Sequence, residues 1–537
     1  MGPKVHEPLD SWEELEDHAV DADEGAGDGE APDRDLWSPS RSEIGSSAPC
    51  ANGAWRVAYT SHPGRFEDHV VSHDLGELLR DPAGSRLHAA LVTSFFPFGL
   101  NFLERFPRDI DLTVCLQDTP PGEKRKVPKH LYGIELSSVE QLEAHGVIYA
   151  RSSHCAKCFP SSNPLRCSSD CFVRPCGCPK QSHRRIQWVF PQLHGTSIMH
   201  VKLMLLRFEG FVRLVVSSLN LSDRQWEGCG DSFWWADLPF LADADARGDT
   251  RMQEPLTDML VRMHVPAGWL RLLAYCNWPS LQHQDTNIYA VTSIPGQAAG
   301  HVTYGMQRLS DLLRQMPRFP PSKDAPAYVQ VWSLGGARDA WYTDFALMLT
   351  QERYRDLGVI AQWKHDHCRF IFQNGGQGPN WHAMRQESVQ EENRIRNMLG
   401  MRLRTERQSE LEKVLWDEKA SALLEPKKDQ PPVRWGWHSK VMTRVYPRGF
   451  CLRPGCSRTH GWRYMGSHNC SRACWGWRYY DPASGQNVMD PPNNWELGVL
   501  IISLPASGEK ESCGADLDLC VPLPFKLDGI RRLHMER

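Results

Sequence analysis

The run SIMHVKLMLL, residues 197–206, sets His200 and Lys202 two positions apart in an otherwise apolar stretch. Apolar residues this dense over so short a span predict a buried strand. Side chains i and i+2 of a strand point to the same side, so an imidazole and an ammonium would stand next to each other. Burying both is costly unless something compensates them. A phosphate group would do so.

Working outward, LHAALVTS (87–94), DIDLTVCL (109–116), RIQWVF (185–190) and FVRLVVSSLNLS (211–222) read as further strands, separated by turn residues. PLTDMLVRMHVPAGWLRLLAYC (255–276) has helical spacing. A second series starts at TNIYAVTSIPG (286–296): strand, Gly-rich turn, helix (YGMQRLSDLLRQM), strand (YVQVWSLGG) and helix (AWYTDFALMLTQERY). A polar, charge-mixed helix is expected near 386–424, ahead of GWHSKVMTRVYP. Alternating strands and helices predict an α/β layered fold, and the restart near 287 predicts a domain boundary. At 537 residues the chain exceeds what one ordinary core accommodates.

The second series carries its own His-x-Lys, His438 and Lys440. Two such triplets alone mean little. The residues downstream of each are more telling. Residues 217–226 read SSLNLSDRQW and residues 466–476 read GSHNCSRACWG. Each holds Ser-x-Asn (Ser218 and Asn220; Ser467 and Asn469), a Ser two residues on, and a Trp six after the Asn, Trp226 or Trp475. The ordered string His-x-Lys, Ser-x-Asn, Trp thus occurs once in each half, as internal duplication produces. The tryptophans are expected to pack in the core.

These residue types suit one chemistry. A phosphodiester carries charged nonbridging oxygens that must be held while a nucleophile attacks in line with the leaving group. Two lysines and two asparagine amides make a cradle for those oxygens, the task a divalent ion performs elsewhere. No acidic metal-binding cluster accompanies either motif. With one histidine on each side of phosphorus, one attacks while neutral and forms a phosphohistidine, and the other gives a proton to the departing oxygen. Spacing alone leaves open which does which.

The two strings resemble those of the phospholipase D superfamily, whose members carry two His-x-Lys motifs on two similar domains. The usual downstream aspartate of that motif is missing from HVKLMLLR and HSKVMTRV. That absence, with SHN…WG, NWELGVLI (494–501) and IYAVTSIPG, is similar to the tyrosyl-DNA phosphodiesterase branch, and the likeness extends over roughly residues 55–525. It implies two α-β-α sandwich domains related by a pseudo-twofold axis, with the active site between them. The implied boundaries are an acidic tail (1–50), an N-terminal domain (51–286) and a C-terminal domain (287–537).

By the same resemblance His200 is the nucleophile and His438 the general acid that later activates water, while Lys202, Lys440, Asn220 and Asn469 bind phosphate oxygens. Glu496 and Asp231 match the groups that orient the histidines. Asp231 stands where the family usually has an amide, which would favour the charged imidazole. Ser218, Ser467 and Phe96 are expected against substrate, Phe96 by stacking on bases. The implied reaction releases tyrosine or a topoisomerase peptide from single-stranded or nicked DNA 3′ ends, in DNA repair, with no cofactor required for catalysis. The alternatives are a phospholipase D-like enzyme or nuclease acting on another phosphodiester, and a nucleic-acid-binding module without turnover.

Two departures from the family stand out. The chain stops soon after CVPLPFKLDGIRRLHMER, without the usual Trp-containing terminal strand, so part of the substrate groove is expected to differ. The other is HCAKCFPSSNPLRCSSDCFVRPCGCPKQSH (154–183), with six cysteines and few apolar residues. Its Cys-x-x-Cys opening has zinc-knuckle spacing, and Cys155, Cys158, Cys176 and Cys178 are candidate ligands of a structural zinc, the other reading being a reduced, unliganded loop.

Charge is unevenly spread. Residues 1–35 hold thirteen Asp or Glu against Lys4 and Arg34, so a chain of net charge −4 has a body of +7, compatible with a polyanionic partner. The tail is expected to be disordered, its protein partners unspecified. Neither a signal-peptide pattern nor a run of eighteen apolar residues occurs, so an intracellular protein off the membrane is expected. GEKRKVPKH (122–130) reads as a basic loop or a nuclear-import signal, consistent with a nuclear location.

Overall fold

The computed structural model describes residues 130–131, 134–135, 147–151 and 368–371, and residues within 55–60, 72–117, 186–351 and 438–523, the latter with short gaps. The acidic first fifty residues, Phe96, the basic stretch 122–129, the Cys-rich segment with Cys155, Cys158, Cys176 and Cys178, and the charge-mixed stretch 386–424 lie outside them.

The first half supplies β1 (Trp55–Thr60), β2 (Ser72–His73), β3 (Leu87–Ser94), β4 (Asp111–Leu116), the two-stranded β5 (His130–Leu131) and β6 (Ile134–Glu135), β7 (Val147–Arg151), β8 (Ile186–Phe190), β9 (Leu203–Phe208), β10 (Phe211–Ser217) and β11 (Ser232–Pro239). All but β5 and β6 join one mixed sheet in the order β2-β1-β11-β10-β9-β3-β4-β8-β7. The second half supplies β12 (Asn287–Ser293), β13 (Ala327–Gln330), β14 (Cys368–Ile371), β15 (Val441–Val445), β16 (Gly461–Gly466), the hairpin β17 (Trp477–Asp481) and β18 (Gln486–Asp490), and β19 (Glu496–Ser503). Six of these form the sheet β12-β19-β16-β15-β13-β14, antiparallel except at its β13–β14 edge. This is an α/β arrangement of mixed sheets, the fold class expected. Among the described residues no helix is long and apolar enough to cross a membrane.

Strand alternation sorts side chains between cores. On β9, Leu203 and Leu205 enter the largest apolar cluster, while Met204, Leu206 and Phe208 enter a second. On β19, Leu497, Val499 and Ile501 join the same largest cluster, and Leu500 and Ile502 turn to a third. The largest cluster is therefore shared by both sheets, together with the helices Gln253–Arg262 and Ala267–Ala274. The helices expected from YGMQRLSDLLRQM and AWYTDFALMLTQERY form at Gly305–Leu313 and Asp339–Thr350 and cover the third cluster. Trp226 and Trp475 are both buried; the first packs on Phe102 and Phe233, the second on Phe345 and Tyr464.

The expected strand at SIMHVKLMLL begins later than its composition suggests. His200 and Lys202 lie just ahead of β9, as His438 and Lys440 lie just ahead of β15. The reason is that Met199 and Trp495 form a parallel bridge between the halves: His200 N donates to Trp495 O at 2.9 Å and Trp495 N to Ile198 O at 2.9 Å. The segment is spent on joining two sheets rather than on extending one.

One charged pair is buried inside the first sheet. Arg213 on β10 faces Asp237 on the adjacent β11, with Nε–Oδ1 2.7 Å and Nη2–Oδ2 2.9 Å, and its Nη1 donates to Leu78 O and Arg80 O. Removing one partner strands the other charge away from water. Arg213→Met is expected to cost about 3–5 kcal/mol, read as a lower urea midpoint.

Candidate active site

Both His-x-Lys segments and both Ser-x-Asn segments converge where the two sheets meet, and they repeat the same backbone bonds. Ser217 N donates to Lys202 O, as Gly466 N does to Lys440 O. Ser222 N donates to Asn220 O and Trp226 N to Ser222 O; Ser471 N donates to Asn469 O and Trp475 N to Ser471 O. The repeat in sequence is thus a repeat in local structure.

His200 Nδ1 lies 2.8 Å from Glu496 Oε2, a residue 296 positions away. A carboxylate can only accept, so Nδ1 carries the hydrogen and Nε2 keeps its lone pair. Burial lowers the His200 pKa well below the usual histidine value, and Lys202, Lys440 and His438 lower it further. The ring is neutral at physiological pH, as a nitrogen nucleophile requires. Glu496 also accepts from Ser467 Oγ at 2.5 Å and from Asn494 Nδ2 at 3.3 Å. Burial pushes its carboxyl pKa upward, opposed by His468 and Lys202.

His438 is held in a matching way from the other half. Its Nδ1 lies 2.9 Å from Ser218 O, and since a carbonyl only accepts, Nδ1 again carries hydrogen. Asp231 Oδ1 stands 3.6 Å from the same nitrogen and accepts from Ser218 Oγ at 2.7 Å. Burial lowers the His438 pKa to about 4, with Lys440 adding to the drop and Asp231 opposing it. Each half therefore positions the other half's histidine: Ser218 and Asp231 hold His438, and Ser467 and Glu496 hold His200.

The cradle groups stand beside them. Lys202 Nζ donates to His200 O at 2.8 Å, and burial lowers its pKa to about 7, Lys440 adding to the effect while Glu496 and Asp231 oppose it. Lys440 Nζ lies 3.0 Å from both ring nitrogens of His438. Asn220 is buried; its Oδ1 accepts from Phe95 N at 3.3 Å, but its Nδ2 has no hydrogen-bond partner among the described residues. An unspent buried amide costs about 1–3 kcal/mol, and an anion arriving beside it removes that cost. Asn469 is half-buried.

One expectation is corrected by this geometry. The hydroxyls of Ser218 and Ser467, expected on substrate, are fully buried and committed to Asp231 and Glu496. A short hydroxyl beside a buried carboxylate stabilises it better than it reaches a groove. Phe96, expected to stack on bases, lies outside the described residues; its neighbour Phe95 meets the His200 ring edge-on, centroids 5.5 Å apart.

Other supporting residues escaped the sequence reading. His468, between Ser467 and Asn469, is fully buried, 2.9 Å from Ser293 Oγ and 4.1 Å centroid to centroid from Trp475, and burial lowers its pKa to about 3. Tyr464 OH bonds its Nδ1. Glycines Gly466 and Gly498, paired across β16 and β19, make room for that tyrosine: a Cβ on Gly498 would lie 2.1 Å from Tyr464 OH. Two glycines facing each other in buried strands were the available signal.

Comparisons with known proteins bear on the family and the fold. The family model described as "Tyrosyl-DNA phosphodiesterase" matches residues 174–531. Among solved structures, the yeast tyrosyl-DNA phosphodiesterase is similar with TM-score 0.51 and 12% identity, covering 86% of this chain and 92% of its own. A histidine mutant of the yeast enzyme gives TM-score 0.49 and 11% identity over 83% of this chain and 88% of its own. No curated protein matches the chain.

The glycine pair offers a test remote from the reacting groups. In Gly498→Ala the tyrosine has to swing away and release His468. Stability is expected to fall by about 1–3 kcal/mol and turnover by about 10–100-fold, measured by urea denaturation and single-turnover assays on the same preparation.

Proposed function

Because this chain belongs to the tyrosyl-DNA phosphodiesterase family, a family of phosphodiesterase hydrolases acting on DNA, we propose that His200 and His438 carry the two steps by which it frees tyrosine from a DNA 3′ phosphate. The observation that carries this assignment is the His200–Glu496 pair, which leaves the lone pair of a neutral ring on Nε2.

In the first step Nε2 of His200 attacks phosphorus and the bond to the tyrosyl oxygen breaks in line. His438 gives that oxygen a proton, and DNA 3′-phosphate stays on His200. In the second step neutral His438 takes a proton from water as the water attacks phosphorus, and the P–N bond breaks with its electron pair returning to His200. Lys202, Lys440, Asn220 and Asn469 hold the nonbridging oxygens throughout.

The lowered His438 pKa bears on this cycle. In the free protein burial and Lys440 keep the ring neutral. A phosphodiester bound beside it adds negative charge, which raises the pKa together with Asp231. The departing phenol, with an ordinary pKa of about 10, needs only modest proton assistance. Lys202, poised near neutrality by burial, regains full charge in the same way. Substrate binding thus installs the protons that the first step uses.

The two lysines and two asparagines supply the charge stabilisation without a catalytic metal. A nuclear role in DNA repair, on 3′ ends blocked by a topoisomerase peptide, accords with the family and with the basic stretch at 122–130.

With EDTA present and a 3′-phosphotyrosyl oligonucleotide as substrate, wild type is expected to release tyrosine and His200→Ala to release none. His438→Asn should accumulate a covalent DNA–protein adduct on a denaturing gel; release by His200→Ala at the wild-type rate would sink the assignment. Asp231→Asn removes the carboxylate that favours protonated His438. The alkaline limb of the adduct-forming step should therefore move to lower pH by about one unit, visible in a single-turnover pH profile.

A further inference from the structure

Cys451, Cys456, His460 and Cys513 bring their ligating atoms within 4.8 Å of one another, far along the chain from the Cys-rich segment. We propose that these four residues bind one zinc ion, which ties together the ends of β15, β16 and β19 remote from the catalytic groups.

The donor set and the distances both fit. The loop reads CLRPGCSRTH, Cys-x4-Cys-x3-His, within the range that structural zinc sites use. Cys456 Sγ lies 3.7 Å from Cys513 Sγ and 3.4 Å from His460 Nε2. A tetrahedron with Zn–S near 2.3 Å and Zn–N near 2.0–2.1 Å has S–S edges of about 3.8 Å and S–N edges of about 3.6 Å. A disulfide would need about 2.05 Å.

The surroundings also orient the ligands. Ser503 Oγ donates to Ala515 O, so toward His460 Nδ1, 3.0 Å away, it accepts. Nδ1 therefore holds the hydrogen and Nε2, the nitrogen turned to Cys456, has its lone pair free for a metal. Ala506 N donates to Cys451 Sγ at 3.4 Å, and Arg453 Nη1 lies 4.0 Å from Cys513 Sγ, donors that suit thiolate sulfur. On binding, the three thiols lose their protons to solvent and neutral His460 loses none.

The loop needs such a clamp. It runs from Tyr446 to His460, turns at Gly449 and Gly455 with positive φ, and leaves Leu452 57% exposed. A stack of Phe319, Tyr446 and Phe450 holds its start, and little apolar burial fixes the stretch from Cys451 to Thr459. Its position gives the clamp a purpose: His438 and Lys440 precede β15, Ser467 and Asn469 come after β16, and Glu496 opens β19, while the four zinc ligands sit at the other ends of those strands. Five to eight residues at about 3.3 Å each put the metal some 17–26 Å from the phosphate cradle. With four protein ligands it is closed, a structural ion that positions strands.

The test uses the full chain and zinc alone as probe. Metal content is measured by mass spectrometry after dialysis for wild type, Cys513→Ser, His460→Cys, His460→Ala and a Cys155→Ser/Cys158→Ser double variant. The double variant and His460→Cys should each retain this site's zinc equivalent, and Cys513→Ser and His460→Ala should lose it. X-ray absorption on the double variant should show three sulfurs and one nitrogen around zinc, which decides the matter even if Cys513→Ser fails to fold. A double variant that holds no zinc, or a Cys513→Ser protein as zinc-rich as wild type, would overturn the proposal.

Discussion

The structure depends on an exchange of carboxylates between its two halves. Glu496, at the start of the last strand of the second sheet, orients His200 of the first half, and Asp231, ahead of β11, stands against His438 of the second. Neither histidine can be oriented by its own half alone. Because buried ionisable groups are costly unless partnered, the site is assembled only when the two sheets dock, and docking is favoured by the same contacts. The Met199–Trp495 bridge fixes that docking at backbone level within a residue of His200 and Glu496.

Burial on this scale has an electrostatic consequence. Lys202, Lys440, His200 and His438 are all buried, and desolvation lowers the pKa of Lys202 and of both histidines. A site of this kind holds positive charge reluctantly when empty and readily when an anion is present. The unspent Nδ2 of Asn220 adds to that imbalance. An anion bound there would be met by groups whose charged forms it favours and by an amide it can partner.

Support for the site extends beyond the groups that touch it. Tyr464 reaches His468 because Gly466 and Gly498 face each other, and His468 rests on Trp475, the tryptophan of the repeated string. At the opposite ends of the same strands lies the Cys451–Cys456–His460–Cys513 cluster. A metal in that cluster would hold these strands at the ends away from the cradle, as precise placement of its donors requires.

Period-2 and period-3.6 patterns and an ordered string are local properties, so the strand and helix segments flanking the repeat and both His-x-Lys pairs were legible in the chain alone. It also named Glu496 and Asp231, through the likeness of NWELGV and of the spacing to a family. Which half orients which histidine is fixed by long-range packing, because a contact between residues 296 positions apart leaves no local trace. The same holds for Ser218 and Ser467, whose hydroxyls turn from the expected substrate to carboxylates, and for His468, whose role depends on a glycine-lined gap between strands. Composition drew notice to the six crowded cysteines at 154–183, whereas Cys513 joined Cys451, Cys456 and His460 only when β16 and β19 paired. Local pattern specifies elements and chemistry; which side chains meet is fixed by strand pairing and packing between segments far apart in the chain.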